Sequence, residues 1–193
     1  MADKKTNTVR INAGEWRSRL LKFPDAAGLR PTPERVRQTV FNWLGQDLTG
    51  QTCLDLFAGT GVMGFEALSR GAVAVTLVEK SMPAYKALLD NKALLKAEHA
   101  QVLHQDALQF LSANAHGPQA QQFNLIFLDP PYHQDWLPKV LAQLKPHLHA
   151  EGAVYVEAEY SLQSVPDLLQ DWQVIKHSRA GNVFYHLLKS NPT

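Results

Sequence analysis

The feature that most constrains this chain is a repeating alternation that begins at Thr52: short apolar runs, each followed by a stretch of helical pattern. Such alternation builds a parallel sheet with helices on both faces, because every return to the sheet needs a crossover. The runs predict strands at 52–57, 73–78, 101–104, 124–128 and 153–157, then at 172–178 and 183–189. Helices fall between them at about 61–70, 81–97, 106–113, 135–147 and 161–170. Pro83 and Pro138 suit early helical turns, where a missing N–H does little harm. Only Arg179-Ala180-Gly181-Asn182 separates the last two strands, too little for a helical crossover, so they form an antiparallel hairpin. An ordinary dinucleotide-binding fold lacks that reversal.

At 193 residues, the chain suits one full core with a small appendage. The appendage is residues 1–50, set against a second unit at 51–193. Residues 8–22 alternate apolar and charged side chains around Ala13-Gly14-Glu15, which predicts a hairpin or extended arm. Thr32 reads as an N-cap and Pro33 as the first turn of a helix whose buried stripe is Val36, Val40, Trp43 and Leu44. Residues 114–122 read as a solvated loop. The net charge of +1 hides an asymmetry: residues 1–50 hold nine Lys and Arg against five Asp and Glu, while 51–193 hold ten against thirteen. A basic segment beside a mildly acidic unit fits a phosphate-bearing partner. The single cysteine, Cys53, lies inside an apolar run, so no disulfide framework is expected. The opening residues lack a signal-peptide core and no run reaches the ~20 apolar residues of a membrane span, so a cytoplasmic protein with no membrane partner is expected. The eight histidines show no metal-ligand spacing.

Chemistry concentrates at two strand ends. The strand at 124–128 runs straight into Asp129-Pro130-Pro131-Tyr132. The Asp129 carboxylate and the Pro130 carbonyl are both acceptors and can together hold the two hydrogens of an exocyclic amine. Neither proline offers an N–H, and each fixes φ at about −65°, so the turn is stiff and acceptor-rich. Tyr132 is placed to stack on a flat ring. A planar ring carrying an amino group describes a nucleobase. After the strand at 52–57, Gly59-Thr60-Gly61-Val62-Met63-Gly64 satisfies G-x-G-x-x-G, and Glu79 lies about 20 residues past the first glycine, where an acidic residue binds ribose. By itself this keeps NAD(H) as a candidate. Asp55, just before the glycine turn, points elsewhere. It would repel a pyrophosphate and attract the ammonium and sulfonium of S-adenosylmethionine.

Asp55-Leu56-Phe57-Ala58-Gly59-Thr60-Gly61 together with Asp129-Pro130-Pro131-Tyr132 resembles the class I S-adenosylmethionine-dependent methyltransferases that act on exocyclic amines. The segments running from Arg10 to Arg19 and from Arg30 to Leu44 are similar to those of the RsmD family, which methylates the N2 amine of one guanine in 16S ribosomal RNA. The resemblance runs from about residue 8 to the end, with Ala13 where a second glycine is common and Gln38 where Glu is common. It implies a Rossmann-like α/β fold: a seven-stranded, mostly parallel sheet with an antiparallel terminal strand, plus the N-terminal hairpin and helix. It also implies S-adenosyl-L-methionine as cofactor and 16S rRNA of the small ribosomal subunit as partner; the reaction needs no metal, and a monomer is the default expectation.

In the cofactor site so implied, Asp55 approaches the methionine ammonium and Glu79 the ribose hydroxyls. Asp106 meets the adenine amine, and the N–H of Ala107 meets a ring nitrogen. Gly59, Thr60 and Gly61 shape the turn, while Phe57 and Leu108 stand open between an adenine pocket and core packing. Asp106 also reads as the N-cap of helix 106–113. Asp129, Pro130 and Tyr132 form the catalytic set, Asp129 also bordering the cofactor, with Pro131 and Tyr132 meeting the base. An aromatic amine is a weak nucleophile because its lone pair is delocalised into the ring. Hydrogen bonds to Asp129 and the Pro130 carbonyl favour a pyramidal nitrogen. Arg10, Arg17, Arg19, Arg30, Arg35 and Arg37 form the phosphate-contacting set, with Trp16 as a stacking candidate and Arg179 and Asn182 nearby. Two other readings stand beside this one. The acceptor could be adenine N6 or a protein glutamine, or the chain could be a ribosome-assembly factor that has kept the fold without the chemistry.

Overall fold

The computed structural model describes residues 6–26, 28–115 and 121–192. Seven strands form one sheet: β3 (Thr52–Asp55), β4 (Ala74–Glu79), β5 (Ala100–His104), β6 (Phe123–Leu128), β7 (Leu148–Ala158), β8 (Trp172–Ala180) and β9 (Val183–Ser190). Their order is β5-β4-β3-β6-β7-β9-β8. Strands β3 to β7 pair in parallel, while β9 runs antiparallel to both β7 and β8. The short link after β8 thus returns the chain as expected, and β9 inserts between β7 and β8.

Alternation along each strand decides which face a residue serves. Cys53, Leu125, Phe127, Tyr155 and Leu187 point to one face, where they join α1 (Glu34–Trp43), α2 (Val62–Ser69) and α3 (Met82–Leu95). Leu54, Ile126, Leu128, Val156 and Leu188 point to the other face, where they join α4 (Ala107–Asn114) and α5 (Trp136–Leu144). Strands covered on both sides need no polar face, which is why these runs are apolar at nearly every position.

A two-stranded hairpin, β1 (Thr6–Arg10) with β2 (Leu20–Pro24), precedes the sheet. Its Val9, Ile11, Leu21 and Phe23 enter the first apolar cluster together with Val36, Val40, Phe41 and Leu48. These side chains of the hairpin, α1 and the segment after it therefore join the same apolar cluster as the sheet. The docking is also polar: Ser69 Oγ donates to the Ala13 carbonyl at 2.6 Å, and the Glu15 N–H donates to the Ser69 carbonyl at 2.7 Å. Among the described residues, no helix is long and apolar enough to cross a membrane.

Several elements differ from the sequence expectation. The helix expected at 161–170 is instead two 3-10 turns, Leu162–Ser164 and Pro166–Leu169. Pro166 explains this, since it has no N–H and forces Val165 out of helical space, to φ −130° and ψ 73°. At Pro146 the helix expected to reach 147 tightens into a 3-10 turn over Lys145–His147. The strand at 52–57 ends at Asp55, whereas the one expected at 153–157 extends to Leu148–Ala158. Thr32 caps nothing: Pro33 takes the cap position of α1 and no side chain caps it. Trp43 and Leu44 are only half-buried, and Trp43 stacks on Tyr185 at 5.4 Å. The loop at 114–122 falls largely outside the described residues.

Candidate active site

Three adjacent strands each place a carboxylate at or next to their carboxyl end. Asp55 lies two residues after Cys53, Asp129 two after Phe127, and Glu157 two after Tyr155, all on the face that holds α1 to α3. The register pairs Asp55 with Phe127, Phe127 with Tyr155 and Leu128 with Val156, so Asp129 and Glu157 each follow the last β6–β7 pair, two residues past the level of Asp55. Neighbouring strands lie about 4.8 Å apart, so these acidic groups crowd one another. Burial first, then the charges of Glu157 and Asp55, hold the Asp129 carboxyl well above the usual carboxylate range. Burial likewise raises Asp55, to about 7, against a hydrogen bond from the Gly64 N–H at 3.2 Å, with Glu79 adding repulsion.

The glycine turn joins β3 to α2. Gly59 and Gly61 have φ of +52° and +75°, a region that side chains disfavour. A Cβ on Gly61 would lie 2.4 Å from Leu88 Cδ2, and one on Gly64 2.7 Å from Leu77 Cδ2, so the helix can sit this close to the sheet only with glycines. Thr60 is buried, and its Oγ1 accepts from the Val62 N–H at 3.3 Å. Glu79 closes the turn from β4: Oε2 accepts from the Gly59 N–H at 2.8 Å and Oε1 from the Ser81 N–H at 2.6 Å. Each oxygen keeps a second lone pair for a ligand hydroxyl. At the end of β5, Asp106 Oδ1 caps α4 by accepting from Leu108 N–H at 3.0 Å, while Oδ2 pairs with Lys80 at 3.0 Å. The neighbouring Ala107 is buried at the helix start. Phe57 is half-buried and packs edge-on against Trp136 at 5.3 Å, and Leu108 packs against the second apolar cluster.

This donor set fits a ligand with a cationic head. Asp55, Glu79, Asp129 and Glu157 lie close enough to act on one another electrostatically, and Lys80 nearby is paired with Asp106. A pyrophosphate placed there would meet like charge. The residues thus suit S-adenosylmethionine and disfavour a dinucleotide.

Beyond Asp129, Pro130 is buried while Pro131 and Tyr132 are exposed. Tyr132, His133, Trp136 and Glu157 help to line one cleft with Pro130. Burial and the charges of Asp129, Glu157 and Glu159 hold the Tyr132 hydroxyl above its usual range, so it stays neutral. The loop turns sharply, with His133 at φ +61° and Asp135 at φ +49°. Glu159 braces it, accepting from the His133 N–H at 2.9 Å and meeting the imidazole Nδ1 at 2.9 Å. Backbone strain at a site persists when surrounding groups over-determine it.

The arginines divide. Arg10, Arg17, Arg19, Arg30 and Arg35 are exposed, although Arg19 Nη2 also donates to the Leu94 carbonyl at 3.2 Å. Arg37 overturns its expectation as a phosphate contact. It is 2% exposed and donates to Glu66 at 2.5 Å, to the Arg10 carbonyl at 3.0 Å and to the Thr32 carbonyl at 3.1 Å. Glu66 also pairs with the buried Arg70 at 2.7 Å, so Arg37 is one end of an interior Arg–Glu–Arg triad joining α1 to α2. Trp16 is half-buried against the core. Arg179 lies over the Phe184 ring at 4.9 Å. Glu157 escaped the sequence reading. Its signal was available, since it ends an apolar strand as Asp55 and Asp129 do, but no motif flanks it.

A parallel sheet with one inserted antiparallel strand and an acid-lined crevice at the carboxyl ends of β3 to β6 defines a class I S-adenosylmethionine-dependent methyltransferase. The family described as "Conserved hypothetical protein 95" matches residues 9–189. The chain is 39% identical over 181 residues to ribosomal RNA small subunit methyltransferase D of Escherichia coli K12, spanning 93% of this chain and 88% of that protein. Against the protein of the same name from Haemophilus influenzae it is 38% identical over 186 residues, spanning 94% of each. The chain belongs to this family, the RsmD family of ribosomal RNA small subunit methyltransferases. A solved Escherichia coli structure assigned as a methyltransferase, yhhF, superposes with a TM-score of 0.82 at 36% identity, covering 95% of this chain and 98% of that one. The Thermus thermophilus 16S rRNA N2 G1207 methyltransferase RsmC shares the fold, with a TM-score of 0.70 at 19% identity over 97% of this chain and 50% of that one.

Proposed function

We propose that the protein transfers a methyl group from S-adenosylmethionine to the exocyclic N2 amine of a guanine in 16S ribosomal RNA, on an assembled or assembling small subunit. The observation that carries this reading is the junction after β6. There Asp129 and Pro130 present two acceptors beside Tyr132, on the same side of the sheet as the acid-lined crevice around Asp55. Asp55 would hold the methionine ammonium, Glu79 the ribose hydroxyls, and Asp106 with the Ala107 N–H the adenine edge. The cofactor, when bound, supplies an electrophilic methyl group on a sulfonium. Asp129 and the Pro130 carbonyl would each accept one amine hydrogen and aim the nitrogen lone pair into the crevice. Positioning and preorganised charge supply most of the acceleration in such a site. Tyr132, 38% exposed at the rim, offers a face on which a displaced base can stack, worth about 1–3 kcal/mol.

The exposed Arg10, Arg17, Arg19, Arg30 and Arg35 lie in the basic first 50 residues and would meet phosphates around the target. Nucleoside mass spectrometry decides the proposal. Small-subunit rRNA from a strain lacking the protein is incubated with it and S-adenosylmethionine, both as protein-free RNA and as assembled subunits. N2-methylguanosine forming with subunits is the expected outcome. N6-methyladenosine, or no methylated base in either substrate, would refute it.

A further inference from the structure

Methylation of an amine leaves one proton too many on nitrogen, and something in the site must accept it. Asp129 is the nearest carboxylate to the amine on the proposed reading, and the inference here rests on that reading. Glu157, 3% exposed, follows Val156 as Asp129 follows Leu128, and Leu128 and Val156 are the last residues that pair between β6 and β7. Its environment differs in kind. The Tyr155 hydroxyl donates to Glu157 Oε1 at 2.7 Å, and the Thr32 hydroxyl donates to the same carboxylate. Burial raises the Glu157 carboxyl too, and the two hydroxyl donors oppose that rise, whereas burial and the charges of Glu157 and Asp55 all push Asp129 the same way. Of the two neighbours, Glu157 is the one fixed by the Tyr155 hydroxyl, and Asp129 is the one that meets the amine on the proposed reading.

We propose that Glu157 is a positioning residue whose carboxylate, gripped by Tyr155 and Thr32 beside Asp129, makes Asp129 the group that takes the proton leaving the methylated amine. In that step an N–H bond breaks, its electron pair stays on nitrogen, and an O–H bond forms on Asp129. A solitary carboxylate is a poor base for this task, and a fixed negative neighbour strengthens it. The titratable groups that interact with Asp129 are Asp55 from β3, Glu157 and Tyr155 from β7 and Tyr132 on the loop, with Glu79 acting on Asp55 and Glu159 on Tyr132. Of these, Glu157 exerts the largest charge effect on it.

The test is the pH profile of single-turnover methylation of small subunits from a strain lacking the protein, read as N2-methylguanosine. In wild type the rate rises with pH as Asp129 loses its proton. Glu157→Gln should move that acid limb to lower pH by about one unit or more. Its plateau rate should fall by about tenfold, with Kd for S-adenosylmethionine held within a few-fold. Tyr155→Phe, which loosens the grip on Glu157, should move the limb the same way by less. Should Glu157→Gln fail to fold, Tyr155→Phe and Thr32→Val carry the test. An unmoved limb in folded variants that still form N2-methylguanosine overturns this inference alone. Absence of N2-methylguanosine from wild type at every pH overturns the proposed function and this inference with it.

Discussion

At the scale of single residues, the site trades stability for affinity. Asp55 is 4% exposed, and its carboxyl is pushed up to about 7 by burial. Its ordinary value is 3.8, so between these two pH values the folded protein holds a proton that the unfolded chain has released. The stabilising protonated form is complete below pH 3.8 and is lost as pH rises through about 7. Asp55→Asn should therefore raise Tm at pH 8 by several degrees, at roughly 2–4 °C per kcal/mol, and bring little gain near pH 4. Differential scanning fluorimetry at the two pH values checks the sign, and a lower Tm at pH 8 would contradict it. The same change should weaken S-adenosylmethionine by about tenfold or more, since a charged hydrogen bond is lost. Asp129→Ala should behave differently. It should cut the methylation rate by roughly 10²–10⁴ while leaving the cofactor Kd within a few-fold, because it acts on the acceptor amine. Equal rates in mutant and wild type would remove Asp129 from the chemistry. Asp55 and Asp129 were legible in the sequence because each abuts a recognisable turn. Glu157 carried the weaker signal of an acid near the end of an apolar strand, and its nearness to Asp129 comes from the β6–β7 pairing, a long-range fact.

At the scale of elements, what was legible followed period and punctuation. The strands and their two faces come from alternation, and the β8–β9 reversal from the length of its link. The helix expected at 161–170 failed because Pro166 interrupts an otherwise helical pattern at its middle. Polar docking between elements was not legible at all, because it depends on which surfaces meet. Gly14 shows this: it read as a hairpin tip, yet its place is set by α2. It sits at φ +83°, and an added Cβ would lie 1.7 Å from the Ser69 carbonyl oxygen. Gly14→Ala must push the hairpin off the helix end, breaking the Ala13 and Glu15 hydrogen bonds to Ser69. A loss of at least about 2 kcal/mol is expected. Gly45 provides the control, with φ +92° but open space around it. Gly45→Ala should cost only the backbone strain of about 1–2 kcal/mol. Urea denaturation of the two variants separates the contributions, and equal losses would mean that the hairpin contact is not what Gly14 protects.

At the scale of the whole molecule, the basic first 50 residues serve two masters. Part of their charge is spent inside: Arg37 is buried with Glu66 and Arg70, tying α1 to α2. Sequence composition cannot separate such a residue from its exposed neighbours, because Arg35 and Arg37 differ only in which side of α1 they occupy. Once Arg37 is set aside, Arg10, Arg17, Arg19, Arg30 and Arg35 remain as exposed cations, and Arg10, Arg30 and Arg35 flank segments that enter the same core as β6 and its Asp129 turn. A phosphate contact releases condensed counterions, so each one adds about 0.7–0.9 to the slope of log affinity against log salt. The triple change Arg10→Ala, Arg30→Ala and Arg35→Ala should therefore flatten that slope by about 2–3 in binding to small subunits. It should raise KM for subunits, most steeply at low salt, and leave the rate at saturation near that of wild type, because none of the three reaches the amine. A slope unchanged in the triple variant would place the RNA on another face, and a collapsed saturating rate with normal KM would make these arginines part of the chemistry instead.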